Sequence, residues 1–181
     1  NPQAHRRLEQ YLVEQGFATE AELEAIRPEV VVAVALARSV ESVMALWAVA
    51  RAGAVFFPVN PADPPARVSK LITDSRATLG ITQTRWRTSL AATAVDWLVL
   101  DSDEFTRAAA ARPVTAVTDA ERLRPLRAAH PAYLIYTSGS TGEPKGVLST
   151  HEGLASLSDD LVTRYRVREE SVVPQTHSPY C

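Results

Sequence analysis

Residues 30–59 restrict the fold more than any other stretch. Residues 30–37 form an unbroken apolar run rich in valine, the pattern of a strand buried on both faces. Ser39 then offers a helix cap, and the residues through Arg51 place Val40, Val43, Met44, Trp47 and Ala50 on one helical stripe. Gly53 stops that helix, and residues 54–59 return to an apolar run. Strand, helix and strand in so short a span argue for a parallel sheet.

The flanks continue the alternation. Residues 4–15 put Leu8, Tyr11, Leu12 and Gln15 at helical spacing before Gly16, and residues 19–27 predict a second short helix behind a Thr19 cap. Pro58, Pro61, Pro64 and Pro65 predict a rigid turn rather than a central strand, leading into a helix over 65–76. Strands are expected at 78–82 and 97–100, with 84–94 open between helix and loop and helix favoured. A helix over 105–112 precedes a surface connection, 113–131, with one short helix of its own. Leu154, Leu157 and Leu161 share one face of a helix over 151–164, and 171–173 reads as a last strand stopped by Pro174.

Chemistry concentrates between residues 132 and 148. The run 132–136 reads as a buried strand and 145–148 as another. Between them Thr137, Ser138, Gly139, Ser140, Thr141, Gly142, Glu143 and Pro144 offer almost no apolar surface. Gly139 and Gly142 open backbone angles closed to other residues, so successive amides can turn toward one point. Hydroxyls of Thr137, Ser138, Ser140 and Thr141 can donate to the same point, and Lys145 adds a mobile cation. Such a concavity suits a polyanion, above all a nucleoside triphosphate. Of the 7 glycines in 181 residues, Gly139, Gly142 and Gly146 fall here, and Lys145 is one of two lysines beside Lys70. An ordinary hairpin turn is the alternative. The Walker pattern fails because Pro144 precedes Lys145 and Gly146 follows it, and the G-x-G-x-x-G pattern fails on spacing.

The string from Tyr136 to Val147, Tyr-Thr-Ser-Gly-Ser-Thr-Gly-Glu-Pro-Lys-Gly-Val, resembles the phosphate-binding signature of the adenylate-forming enzymes. Within that superfamily, Ser-Gly-Ser-Thr-Gly after Tyr-Leu-Ile-Tyr-Thr looks most like the adenylation domains of nonribosomal peptide synthetases. Residues 47–61, with Pro64 and Arg67, are similar to an upstream motif of the same family, with Asn60 where aspartate is common. For Pro58, Pro61 and Arg67 a structural role is expected. The resemblance implies an α/β fold with a mostly parallel sheet flanked by helices, the N-terminal part of the large subdomain. It implies ATP and magnesium as cofactors, an amino acid substrate and a carrier-protein phosphopantetheine thiol. Thr137, Ser138, Gly139, Ser140, Thr141, Gly142 and Lys145 would hold the nucleotide. The magnesium glutamate, the ribose and amino-group aspartates, the adenine-stacking aromatic and the catalytic lysine would lie past residue 181, with Ser178-Pro179 approaching one of them. Residues 1–181 then read as an incomplete adenylation domain, inactive alone, with no catalytic residue of its own. An acyl-CoA synthetase fragment and a non-catalytic nucleotide- or partner-binding remnant are the alternatives.

Composition adds exclusions. A net charge of −2 gives no reason to expect nucleic acid, and no run is long enough to cross a bilayer. The single cysteine, Cys181, forms no internal disulfide. The cytoplasm is the default reading. His5, His130 and His177 lack ligand spacing, and His151 suits a helix cap or surface better than the loop. The pairs Asp159-Asp160 and Glu169-Glu170 read as solvated faces, and Ser140 sits in no G-x-S-x-G elbow.

Overall fold

The computed structural model describes residues 30–111, 126–138, 143–168, 170–172 and 180. A 6-stranded sheet has the order β4-β3-β1-β2-β5-β6. Its strands are β1 (Val31–Ala35), β2 (Val55–Pro58), β3 (Leu79–Thr82), β4 (Asp96–Val99), β5 (Pro131–Thr137) and β6 (Lys145–Thr150). The first five run parallel and β6 returns antiparallel to β5. Helices α1 (Val40–Ala52) and α2 (Pro65–Ser75) connect the central strands. Beyond them come a 3₁₀ turn at Thr84–Trp86 and the helices α3 (Arg87–Leu90), α4 (Asp103–Ala110) and α5 (His151–Tyr165). The expected mostly parallel α/β sheet is therefore present. The helices expected at 4–15 and 19–27 lie outside the described residues, as does most of 113–131.

Alternation along the strands builds two cores. Ala33, Ala35, Val55, Phe57, Val59, Leu134 and Tyr136 face α2 and pack with its Val68 and Ile72. Val32, Val34, Leu36 and Ile81 point the other way, against Ala45 and Val49 of α1. Ser39 caps α1 with a reciprocal box: its hydroxyl accepts from the Ser42 amide, and the Ser42 hydroxyl accepts from the Ser39 amide. Gly53 ends the helix in the left-handed region at φ 80°.

The face of α1 that meets the sheet is not its stripe of large apolar residues. Ser42, Ala45, Val49 and Ala52 are buried, whereas Val40, Met44 and Trp47 stay 71%, 65% and 65% exposed. The small residues bring the helix close to the strands, and the large apolar stripe is left outward. The stripe on α5 likewise gains no buried residue, and Leu157 and Leu161 are exposed.

Pro58 also corrects the sequence reading, because it ends β2, a central strand. The amides of Val55 and Val59 donate to β1, to the carbonyls of Val30 and Val34. By alternation the donor missing from Pro58 would point at β5. There the pairing has already narrowed to Phe56 and Tyr133, so no ladder bond is lost. Residues 171 and 172, expected in a strand, form none. The uncertain segment at 84–94 resolves into the 3₁₀ turn and α3.

Candidate functional site

At their C-terminal ends β2 and β5 part. The chain leaves β2 toward β3 on one side and leaves β5 toward β6 on the other, and such a divergence is where open α/β sheets bind ligands. A small crevice opens there, lined by Phe57, Pro58, Asn60, Ile135, Tyr136 and Tyr180 among others. One wall is a fixed turn. The Asn60 amide donates to Asp63 at 2.8 Å, the Asn60 side-chain oxygen accepts from the Ala62 amide at 3.1 Å, and Arg67 pairs with Asp63 at 3.1 Å. Arg67 thus has the structural role expected of it, and Asn60 helps to hold the same turn. Tyr180 reaches back to this rim and donates its hydroxyl to the Leu36 carbonyl. Burial raises the Tyr180 phenol above its usual pKa, with Arg38 opposing and Asp63 assisting.

The loop leaves β5 beside this crevice, and its entry is anchored. Tyr136, 7% exposed, packs its ring 5.4 Å from Phe57 and donates its hydroxyl to Asp74 of α2 at 2.5 Å. Gly146 lies opposite Tyr136 in the ladder, and a Cβ there would sit 3.1 Å from Leu134 Cδ1 and 3.4 Å from the tyrosine ring. The glycine of Pro-Lys-Gly therefore leaves room for Leu134 and for the Tyr136 ring. Burial, then the bond to Asp74, hold the Tyr136 phenol well above its ordinary value of 10.0. A pKa raised by folding contributes stability in full below the unfolded value and loses it as pH climbs through the folded one. Native chain is thus expected to lose stability above about pH 10 more steeply than Tyr136→Phe in chemical unfolding. Parallel profiles would contradict that reading.

Thr137 and Ser138 begin the loop and Lys145 ends it. Thr137 pairs with Lys145 across the neck of the hairpin, and its hydroxyl lies 3.5 Å from the Lys145 carbonyl, at the limit of a hydrogen bond. All three side chains are exposed, and Lys145 makes no ion pair among the described residues. Gly139, Ser140, Thr141 and Gly142 lie outside the described residues. A strand, not a helix, follows the loop, as expected, so no helix dipole stands directly behind it.

Sequence reasoning missed one residue here. Lys70 of α2 reaches over to pair with Glu143 on the returning limb of the loop. The scarcity of lysine that singled out Lys145 applied equally to Lys70. His151 starts α5 behind a Thr150 cap, and its amide donates to the His130 carbonyl at the far end of the hairpin from the loop. Among the described residues no group of three His, Cys, Asp or Glu side chains could hold a metal. These described residues therefore do not by themselves supply a magnesium cage. No described helix is long and apolar enough to cross a membrane.

A hairpin whose returning strand begins at an exposed lysine thus stands at the C-terminal ends of the parallel strands. Residues 21–181 match the AMP-binding enzyme family, and the chain belongs to it. It is 41% identical over 154 residues to the probable nonribosomal peptide synthetase CymA of Salinispora arenicola, covering 84% of this chain and 2% of that protein. The nonribosomal peptide synthetase FmoA3 (S1046A) with bound α-methyl-L-serine-AMP is similar at TM-score 0.67 and 28% identity, over 92% of this chain and 16% of FmoA3. ATP-bound MatB from Rhodopseudomonas palustris is similar at TM-score 0.66 and 28% identity, over 91% of this chain and 31% of MatB. The chain thus spans a minor part of the length of each.

Proposed function

We propose that this chain is the part of an amino-acid-activating, AMP-forming ligase that receives the triphosphate of ATP. In the whole reaction a carboxylate oxygen of the amino acid attacks the α-phosphorus. The bond from that phosphorus to the bridging oxygen breaks, and pyrophosphate leaves with the electron pair. The sulfur of a carrier-protein phosphopantetheine thiol then attacks the acyl carbon, the bond from that carbon to the phosphate oxygen breaks, and AMP leaves with the electron pair while the thiol proton is released. Within residues 1–181 the contribution is electrostatic and positional. Hydroxyls of Thr137, Ser138, Ser140 and Thr141, amides freed by Gly139 and Gly142, and the Lys145 ammonium hold the β- and γ-phosphates and the departing pyrophosphate. The cytoplasm is the setting we propose for that work.

The observation that carries this reading is the position of Lys145, exposed and without an ion pair among the described residues, at the neck of a hairpin beside the crevice. The names of CymA and FmoA3 support peptide synthesis over acyl-CoA formation. Calorimetric titration with ATP, pyrophosphate and adenosine tests it. Heat from the two phosphate compounds and none from adenosine is expected. Equal binding of adenosine and ATP would remove the phosphates from the account.

A further inference from the structure

Lys70 and Asp74 stand one turn apart on α2, so their side chains leave the same face of the helix. Asp74 accepts from Tyr136, where the chain enters the loop. Lys70 pairs with Glu143, where the chain leaves it, 73 residues away in sequence. One helix face therefore holds both limbs of the segment that ends in Lys145. Glu143 is electrostatically at odds with such a segment, because a bare carboxylate beside an anion cradle repels the phosphates that the cradle collects. It lies two residues before Lys145 and is exposed. Pairing with Lys70 answers that repulsion and fixes where the carboxylate points.

Resting on the reading of the loop as a triphosphate site, we propose that Lys70 is a positioning residue of that site. Its ammonium draws the Glu143 carboxylate onto α2 and neutralises it, so that Lys145 meets an incoming polyphosphate without a competing acid. Lys70 acts through Glu143 and does not itself touch the nucleotide. Of the two lysines in the chain, one thus meets the phosphates and the other restrains the acid beside them.

The test is a double-mutant cycle on the full chain, reading ATP affinity at low salt. Lys70→Met is expected to weaken binding by about threefold to fivefold, the scale of an exposed ion pair. That loss should fade near about 0.5 M salt, where screening shortens the reach of surface charges. Glu143→Gln is expected to bind ATP at least as tightly as the native chain. Adding Lys70→Met to Glu143→Gln should then change affinity by less than about twofold, within the error of additivity for paired residues. No loss in Lys70→Met, or an equal loss in the Glu143→Gln background, would overturn the proposal, the second because Lys70 would then bind phosphate directly. A second readout needs no nucleotide. Lys70→Met should displace the backbone amide resonances of Glu143 and Lys145 in the free chain, and unmoved resonances would also overturn it. Failure of the triphosphate reading has a separate signature, equal ATP affinity in the native chain and Lys145→Ala.

Discussion

Lys145→Ala is expected to weaken ATP and pyrophosphate binding by about tenfold to a hundredfold. That is the range for losing a hydrogen bond to a charged group, about 1.5–3 kcal/mol at roughly 1.4 kcal/mol per factor of ten. The exposed side chain at the start of β6 supports no buried core, so the melting transition should stay within a degree or two of native, as for ordinary surface changes. Calorimetry gives the affinity and thermal unfolding gives the control. A variant that binds normally would move the cation of the site elsewhere. One that binds poorly and melts early would make Lys145 a structural residue.

Phe57→Ala is expected to cost about 3–5 kcal/mol, the range for truncating a buried phenylalanine. Phe57 is 1% exposed, sits in β2 among Val55, Val59, Val68 and Ile72, and packs against Tyr136. Against a total of about 5–15 kcal/mol for a typical domain, this loss leaves little margin. Urea unfolding should show the midpoint falling. The effect should extend to the loop, because the Tyr136 ring that anchors its entry loses its neighbour. A loss below about 1 kcal/mol, the usual size for a surface change, would mean that the crevice wall is not packed as described.

The βαβ frame was legible because its signals are local. A valine run, a Ser39 cap and Gly53 each fix a boundary within a few residues, and all three boundaries hold. The side of α1 was not legible by the same means. Large apolar residues form one stripe at helical spacing, yet α1 approaches the sheet on Ser42, Ala45, Val49 and Ala52. Close approach of helix to strand favours small side chains, and that preference depends on the sheet, which a helical wheel does not contain. Pro58 misled for a related reason: its place in a central strand depends on where β5 stops pairing with β2. The loop stood out by composition, through its glycines, hydroxyls and rare lysine. Its support from α2 did not. The bonds from Tyr136 to Asp74 and from Lys70 to Glu143 join residues 62 and 73 positions apart, and only the fold brings them together.

Pyrophosphate titration followed through backbone amide resonances tests the central claim most directly. The account predicts saturable shifts concentrated at Thr137, Ser138 and Lys145, absent when adenosine replaces pyrophosphate. Shifts scattered over the arginine-rich surface, or gathered around α4 and α5 while those three amides stay still, would contradict it.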